Sequence, residues 1–334
     1  MNKITMFLVF VCHISFAQLS DFKSLDFTRA DNIASLNTDA SLNNLPALAH
    51  NLTSKLSTDV EKFRAIYNWV CNNVTGDVNQ YNKVGLMRRK LLNDSIAFMA
   101  WNESFKRVAF KTLLKHKKTM CTGYAYLIKE LCFLANLECV IVDGYARSVD
   151  SNVDELEAPN HSWNAVKLNN KWYLSDATWS SGYMLSGTTF VKDFNKGYFL
   201  ADPILFAKNH YPLRKKWLLH DVLTEEEFVS GPLVYDDTFK HQIIPVFPEK
   251  MKTKAMKNTE VVFSFKSSKQ ISTDKISLVK LSKKNQTILK IYDFKTENGV
   301  IKFKHQFKQK GLQDVHLKIN NDIVATYTID VTKI

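Results

Sequence analysis

The sequence has no CxxC pair, and only five cysteines in 334 residues. One of them, Cys12, lies in the first 17 residues. The other four, Cys71, Cys121, Cys132 and Cys139, are too sparse for a disulfide framework and too scattered for a zinc site. Internal repeats and low-complexity tracts are absent too. The apolar content of 45% with 23% charged residues excludes a disordered chain. After residue 17 no apolar run approaches the ~20 residues that a membrane-spanning helix needs. Arginine is missing from residue 241 onward, where 18 lysines stand against 8 acidic residues. Residues 18–240 carry 26 basic and 25 acidic residues, so the net charge of +12 belongs mainly to the C-terminal part. Lysines at alternating strand positions read first as a solvated face. Attraction to an anionic component of a cell envelope is the functional alternative. No recognised nucleic-acid motif accompanies the charge, so nucleic acid is not an expected partner.

The N-terminus reads as a targeting segment. Lys3 precedes the mostly apolar stretch Ile4 to Phe16, and Ser15-Phe16-Ala17 is a small-x-small cleavage site. This pattern predicts a secretory signal peptide over residues 1–17, with cleavage before Gln18. The expected product is secreted or periplasmic, with no transmembrane segment after cleavage. Residues 18–56 then form a polar, weakly patterned N-terminal segment. Thr58 and Glu61 make a capping box, and Val60, Phe63, Ile66, Tyr67 and Val70 follow at helical spacing. A second helical, basic stretch runs from about Val84 to Lys117 and contains Trp101.

The stretch TMCTGYAYLIKELC places Cys121 just before a helix that is apolar nearly all round, as expected of a buried helix. CVIVDGYARSV reads as a strand, and HSWNAVKLNNKWYLSDATW as a hairpin turning at Asn169-Asn170. In that register paired positions sum to 339, so Asp176 lies opposite Trp163. His161 and Asp176 then share a face as diagonal neighbours, roughly 7–8 Å apart at their Cβ atoms. A one-residue slip would separate them. From about residue 241, alternation in Val261, Phe263 and Phe265 and in Val315, Leu317 and Ile319 predicts a small antiparallel β-sandwich of immunoglobulin type over residues 241–334.

A thiol becomes a strong nucleophile as a thiolate. A helix N-terminus and a nearby imidazolium both favour that form. Cys121 has the first by position and would have the second if His161 faces it. A carboxylate at Asp176 would fix the imidazole tautomer, completing a nucleophile, base and orienting group. Each residue alone has a bland reading. A cysteine at a helix start is more often structural, and a lone histidine is usually a satisfied packing group.

Together, MCTGYAYLIKELC, NHSWNAVKLNNKWYLSDATW and the intervening GYA resemble the core of the transglutaminase-like superfamily. FRAIYNWVCNNV and GYFLADPILFAKNHYP, followed by Trp217, are similar to segments flanking that core in the kyphoscoliosis peptidase-like and cytokinesis-associated branch. The resemblance implies an α+β fold, a papain-like core over residues 57–240 with a helix-borne cysteine packed on an antiparallel sheet. It also implies a Cys-His-Asp triad at Cys121, His161 and Asp176. The chain departs from the branch at Thr122, where an acidic residue is common. The second oxyanion donor has no assigned position. Trp101 is a candidate through its indole N–H, with packing as the competing role, and Gly123, Tyr124 and Trp163 are further candidates for oxyanion or substrate contacts. The backbone N–H of Cys121 is the firmer donor.

The leading expectation is an exported thiol enzyme that cleaves or transfers peptide or amide bonds in a protein or peptide substrate, with no cofactor. The alternative is a non-catalytic binding or scaffold protein of the cell envelope. A calcium-dependent cross-linking enzyme is a weaker option, since no EF-hand pattern occurs.

Overall fold

The computed structural model describes residues 19–220, 223–282 and 285–333. The expected signal peptide, residues 1–17, lies outside the described residues. The polar N-terminal segment does more than its weak pattern suggests. It forms two short helices, α1 (Thr28–Leu36) and α2 (Leu45–Thr53), which bury Ala30, Ala34, Leu48, Ala49 and Leu52. These pack into the same core as α3 (Asp59–Asn73). Thr58 caps α3 reciprocally with Glu61, as its sequence predicts. Asp31 receives a forked pair from Arg64, Nε–Oδ1 2.7 Å and Nη2–Oδ2 3.0 Å, which ties α1 to α3.

A two-residue strand, β1 (Thr75–Gly76), leads into α4 (Val78–Lys90). The basic stretch is therefore two helices. Asp94 caps the second, α5 (Ser95–His116), by accepting from the Ala97 N–H at 2.9 Å. The strand β2 (Lys118–Thr119) then pairs in parallel with β1 and delivers the chain to α6 (Cys121–Leu134). The apolar faces of α6 are covered by α2, α3 and the main sheet, and Leu127, Ile128 and Leu131 are fully buried.

The main sheet contains β3 (Cys139–Ala146), β4 (His161–Leu168) and β5 (Lys171–Ser175). Asn169 and Asn170 turn the β4–β5 hairpin with φ of 48° and 62°, which a two-residue type I′ turn requires. The pairs from Leu168–Lys171 to Asn164–Ser175 follow the expected register. A short helix α7 (Ala177–Ser181) and a hairpin of β6 (Gly182–Leu185) and β7 (Thr189–Lys192) come next. The last strand, β8 (His210–Pro212), joins the far edge, so the antiparallel order is β5-β4-β3-β8.

From Ile243 the chain is strand-rich and has its own core, built around Phe263, Phe303, Val315, Leu317 and Tyr327. Two sheets enclose it. The expected antiparallel pattern needs one correction: Lys252–Met256 pairs in parallel with Asp322–Thr332, because the strand Lys252–Met256 enters the edge of the sheet after a crossover rather than a hairpin. Thr326 and Ala325 of that long strand also pair with Leu233 and Val234, which joins this region to the first.

Candidate active site

Cys121 is the first residue of α6, after an extended Met120 with φ −115° and ψ −174°. Its half-buried side chain is therefore carried by the first turn, at the positive end of the helix. The His161 imidazole and the Ser162 backbone N–H are the groups that favour its thiolate. Burial pushes its pKa up, but these two partners and the imidazolium charge outweigh burial, and the thiol is held below its ordinary value.

His161 opens β4 and is 8% exposed. Its Nε2 lies 2.7 Å from Asp176 Oδ2, which leaves Nδ1 as the ring nitrogen for the thiol. Burial disfavours the imidazolium, but the Asp176 charge overrides it and raises the group to about 10. Asp176 leaves β5 and caps α7, its Oδ1 accepting from the N–H groups of Thr178 at 2.8 Å and Trp179 at 3.3 Å. The carboxylate is fully buried. Burial pushes its pKa up, yet the two imidazoles beside it hold it well below the usual carboxylate range. The structure thus places His161 between the Asp176 carboxylate, to which it is hydrogen-bonded, and the Cys121 thiol, whose pKa it lowers.

The second imidazole is His210, which the sequence does not mark as a site residue. Its Nε2 lies 3.1 Å from the same Oδ2 of Asp176, and its Nδ1 is 2.7 Å from Asn209 Oδ1. The ring is stacked on Phe206 at 3.9 Å. Burial lowers its pKa to about 4, so it is neutral near neutral pH. The available signal was its place in GYFLADPILFAKNHYP, a segment noted only for its likeness to the flank of the family core. His161, Asp176 and His210 have the composition of a cation site, the one such cluster among the described residues. Their facing atoms are already hydrogen-bonded to one another, and no cation is needed to account for their positions.

The other candidates are placed as follows. Gly123 lies against Thr119, whose Oγ1 is 1.9 Å from where a Cβ would stand. Tyr124 is buried and donates its hydroxyl to the Val74 carbonyl at 3.0 Å. Trp101 stacks on Phe105 at 5.0 Å and on Phe98 at 6.1 Å, the packing arrangement that competed with the donor role. Trp163 is buried between His161 and His210, with ring separations of 6.1 Å and 5.0 Å. Its Nε1 has no hydrogen-bond partner among the described residues.

Residues 46–177 match the family model described as the transglutaminase-like superfamily. This stretch of the chain is transglutaminase-like. The transglutaminase-like region contains Cys121, His161 and Asp176, and His210 lies beyond it. Kyphoscoliosis peptidase of Homo sapiens is 32% identical over 206 residues, covering 60% of this chain and 27% of that protein. The Mus musculus protein of the same name is 32% identical over 180 residues, covering 52% and 24%. Hillarin of Drosophila melanogaster is 25% identical over 232 residues, covering 65% and 26%. The chain therefore spans about a quarter of the length of these relatives. No helix of the described residues is long and apolar enough to cross a membrane.

Proposed function

We propose that this protein is a thiol enzyme acting on peptide or amide bonds. The observation that carries the reading is the buried His161–Asp176 pair, 2.7 Å apart, beside a helix-start cysteine whose thiol that imidazole holds below its ordinary pKa against the effect of burial. The depressed thiol and the elevated imidazole favour a thiolate–imidazolium pair over the neutral pair near pH 7. The Cys121 sulfur attacks the carbonyl carbon, and the backbone N–H of Cys121 stabilises the developing oxyanion. Nδ1 of His161 gives its proton to the departing amine, leaving a thioester. His161 then takes a proton from water, or from an incoming amine, as that acceptor attacks. Asp176 keeps the ring oriented and charged while these transfers occur. Water is the default acceptor because it is abundant, and excluding it needs a dry, gated amine site. The likeness to proteins named kyphoscoliosis peptidase supports peptide-bond chemistry.

The same reading places the protein outside the cytoplasm, secreted or periplasmic, on the strength of the pattern in residues 1–17. The lysine-rich C-terminal region would then meet an anionic envelope component. Fractionation with N-terminal sequencing tests this: export predicts a mature chain beginning at Gln18, and retention of Met1 in the cytoplasm would refute it. For the chemistry, the mature protein is incubated with a peptide library, with and without primary amines, and products are read by mass spectrometry. Cys121→Ala should abolish every product while leaving the circular dichroism unchanged. Turnover that survives this substitution refutes the assignment, and an intact, inert wild-type protein favours a binding role.

A further inference from the structure

The carboxylate of Asp176 is shared by two histidines, and the mechanism above uses only one. We propose that His210 is a positioning residue, whose Nε2–H donates to Asp176 Oδ2 and holds that carboxylate at the angle from which it grips His161. The inference rests on the Cys121, His161 and Asp176 reading. Its evidence comes from β8, beyond the region that matches the superfamily.

All four bonds to Asp176 are accounted for. Oδ1 takes two backbone N–H groups, and Oδ2 takes Nε2 of His161 and Nε2 of His210. A carboxylate accepts about four such bonds, so its orientation is fully determined. Without His210, Oδ2 is tied only to the ring that it has to orient. That ring must pass protons to and from sulfur and the leaving amine, so it is a poor anchor.

The proton inventory fixes the tautomer. The groups facing His210 are Asp176, His161 at 5.4 Å between rings, Trp179 at 4.7 Å, Trp163, Phe206 and Tyr198, whose hydroxyl donates to Asp236 at 2.7 Å. His161 carries the imidazolium charge against this single carboxylate, and burial keeps His210 neutral. A neutral ring has one N–H. Were it on Nδ1, the bare Nε2 lone pair would face a carboxylate oxygen at 3.1 Å, which is repulsive. The proton therefore sits on Nε2. Nδ1 becomes an acceptor, and the Asn209 amide turns its NH₂ toward it, an exchange of O and N that keeps the 2.7 Å spacing and gives up only the long 3.5 Å contact from the amide to the Tyr198 hydroxyl. The backbone that carries His210 is held by pairing with Ala146 of β3, the strand that also pairs with β4 at His161.

The test is the pH profile of Cys121 alkylation by iodoacetamide in the full mature chain, with the modified peptide quantified by mass spectrometry. His210→Phe fills the aromatic box without a donor, and His210→Gln retains an N–H donor that reaches the same oxygen. His210→Phe should raise the thiol pKa by about one unit, which slows alkylation about tenfold on the acid side of the profile. His210→Gln should return it most of the way. A role in packing alone would change the melting temperature and leave the profile in place, and a profile unmoved by Phe overturns the proposal. An equal displacement by Phe and Gln also overturns it. Nitrogen NMR of ¹⁵N-histidine-labelled wild-type protein gives an answer even if the variants fail to fold. A His210 ring protonated at Nε2 and bare at Nδ1 near neutral pH supports the proposal, and the opposite tautomer or an imidazolium refutes it. The underlying reading fails differently: a wild-type Cys121 with an ordinary thiol profile sinks the triad itself.

Discussion

Gly123→Ala is a one-atom perturbation with a large expected effect. An added Cβ would stand 1.9 Å from Thr119 Oγ1, 2.8 Å from its Cβ and 2.9 Å from its Cγ2. Rotating the threonine side chain relieves the first and third contacts but not the second. Thr119 itself is buried, paired with Gly76 in β1–β2, and its carbonyl accepts from the Asp77 N–H at 2.9 Å. The strand cannot retreat without breaking those bonds, so the first turn of α6 must move instead. Overpacking of this kind costs ~1–3 kcal/mol. Alanine's better helix propensity returns up to ~1 kcal/mol. The net loss of ~1–2 kcal/mol lowers the melting temperature by only a few degrees in a chain of this size. The chemical effect is larger, because Cys121 is two residues upstream and moves with the turn. A displacement of ~1 Å at a nucleophile costs on the order of 10²-fold in rate. Peptide turnover and the Cys121 alkylation rate near neutral pH should therefore fall far more than stability does. Thr119→Gly added to Gly123→Ala removes all three contacts, the Cβ one included, and should recover most of the rate, a positive coupling between the two sites. An unchanged melting temperature and an unchanged alkylation rate in Gly123→Ala alone would refute the reasoning.

Asp176→Asn keeps the Oδ1 acceptor for α7 but removes the charge that raises His161. Cys121 alkylation near neutral pH should drop about tenfold or more as burial returns the thiol to its ordinary pKa or above, and an unaltered pH profile would contradict this. The depressed Asp176 stabilises the fold above its unfolded pKa of ~3.9, and this contribution is lost as pH falls further, so the Asn variant should show a shallower acid-unfolding slope in chemical denaturation below that pH. His210, lowered to about 4, favours the fold above its unfolded pKa of 6.5 and loses that contribution as pH falls from 6.5 to about 4. The melting temperature should fall over this window, and His210→Gln should flatten the fall; a parallel slope in the variant would count against a neutral His210. Arg147, 2% exposed, donates from Nη1 to the Pro232 carbonyl at 3.0 Å and from Nη2 to the Gly231 carbonyl at 2.7 Å. Arg147→Met should cost ~2–4 kcal/mol in urea unfolding, because two charge-assisted bonds disappear, and a loss below 1 kcal/mol would show that water takes over both carbonyls.

What the sequence made legible depended on how far each contact lies from a point where residues can be counted. His161 and Asp176 flank one hairpin, and two asparagines at positive φ mark its turn. Counting outward from that turn fixes the register, so a separation of fifteen residues reads directly as proximity. Cys121 is legible for a related reason, since the apolar pattern of α6 shows where the helix begins. The helices α1 and α2 were hidden because each has only nine residues, too few for its apolar spacing to repeat over the window that such a pattern needs. The break between α4 and α5 was masked by apolar residues at its centre, Leu91 and Leu92, with only Asp94 signalling a new start. His210 was beyond reach for a different reason. It reaches Asp176 from a three-residue strand at the opposite edge, with β4 and β3 intervening, and so short a strand has no alternation to count. Gly144 of β3 pairs with both His161 and Pro212, and a Cβ there would stand 2.2 Å from the Tyr211 carbonyl oxygen and 2.6 Å from the Trp163 ring. The missing side chain is what lets β8 and Trp163 close around the two imidazoles. The hairpin and the start of α6 therefore determine which groups meet, while the arrangement that fixes their angles is assembled by distant segments.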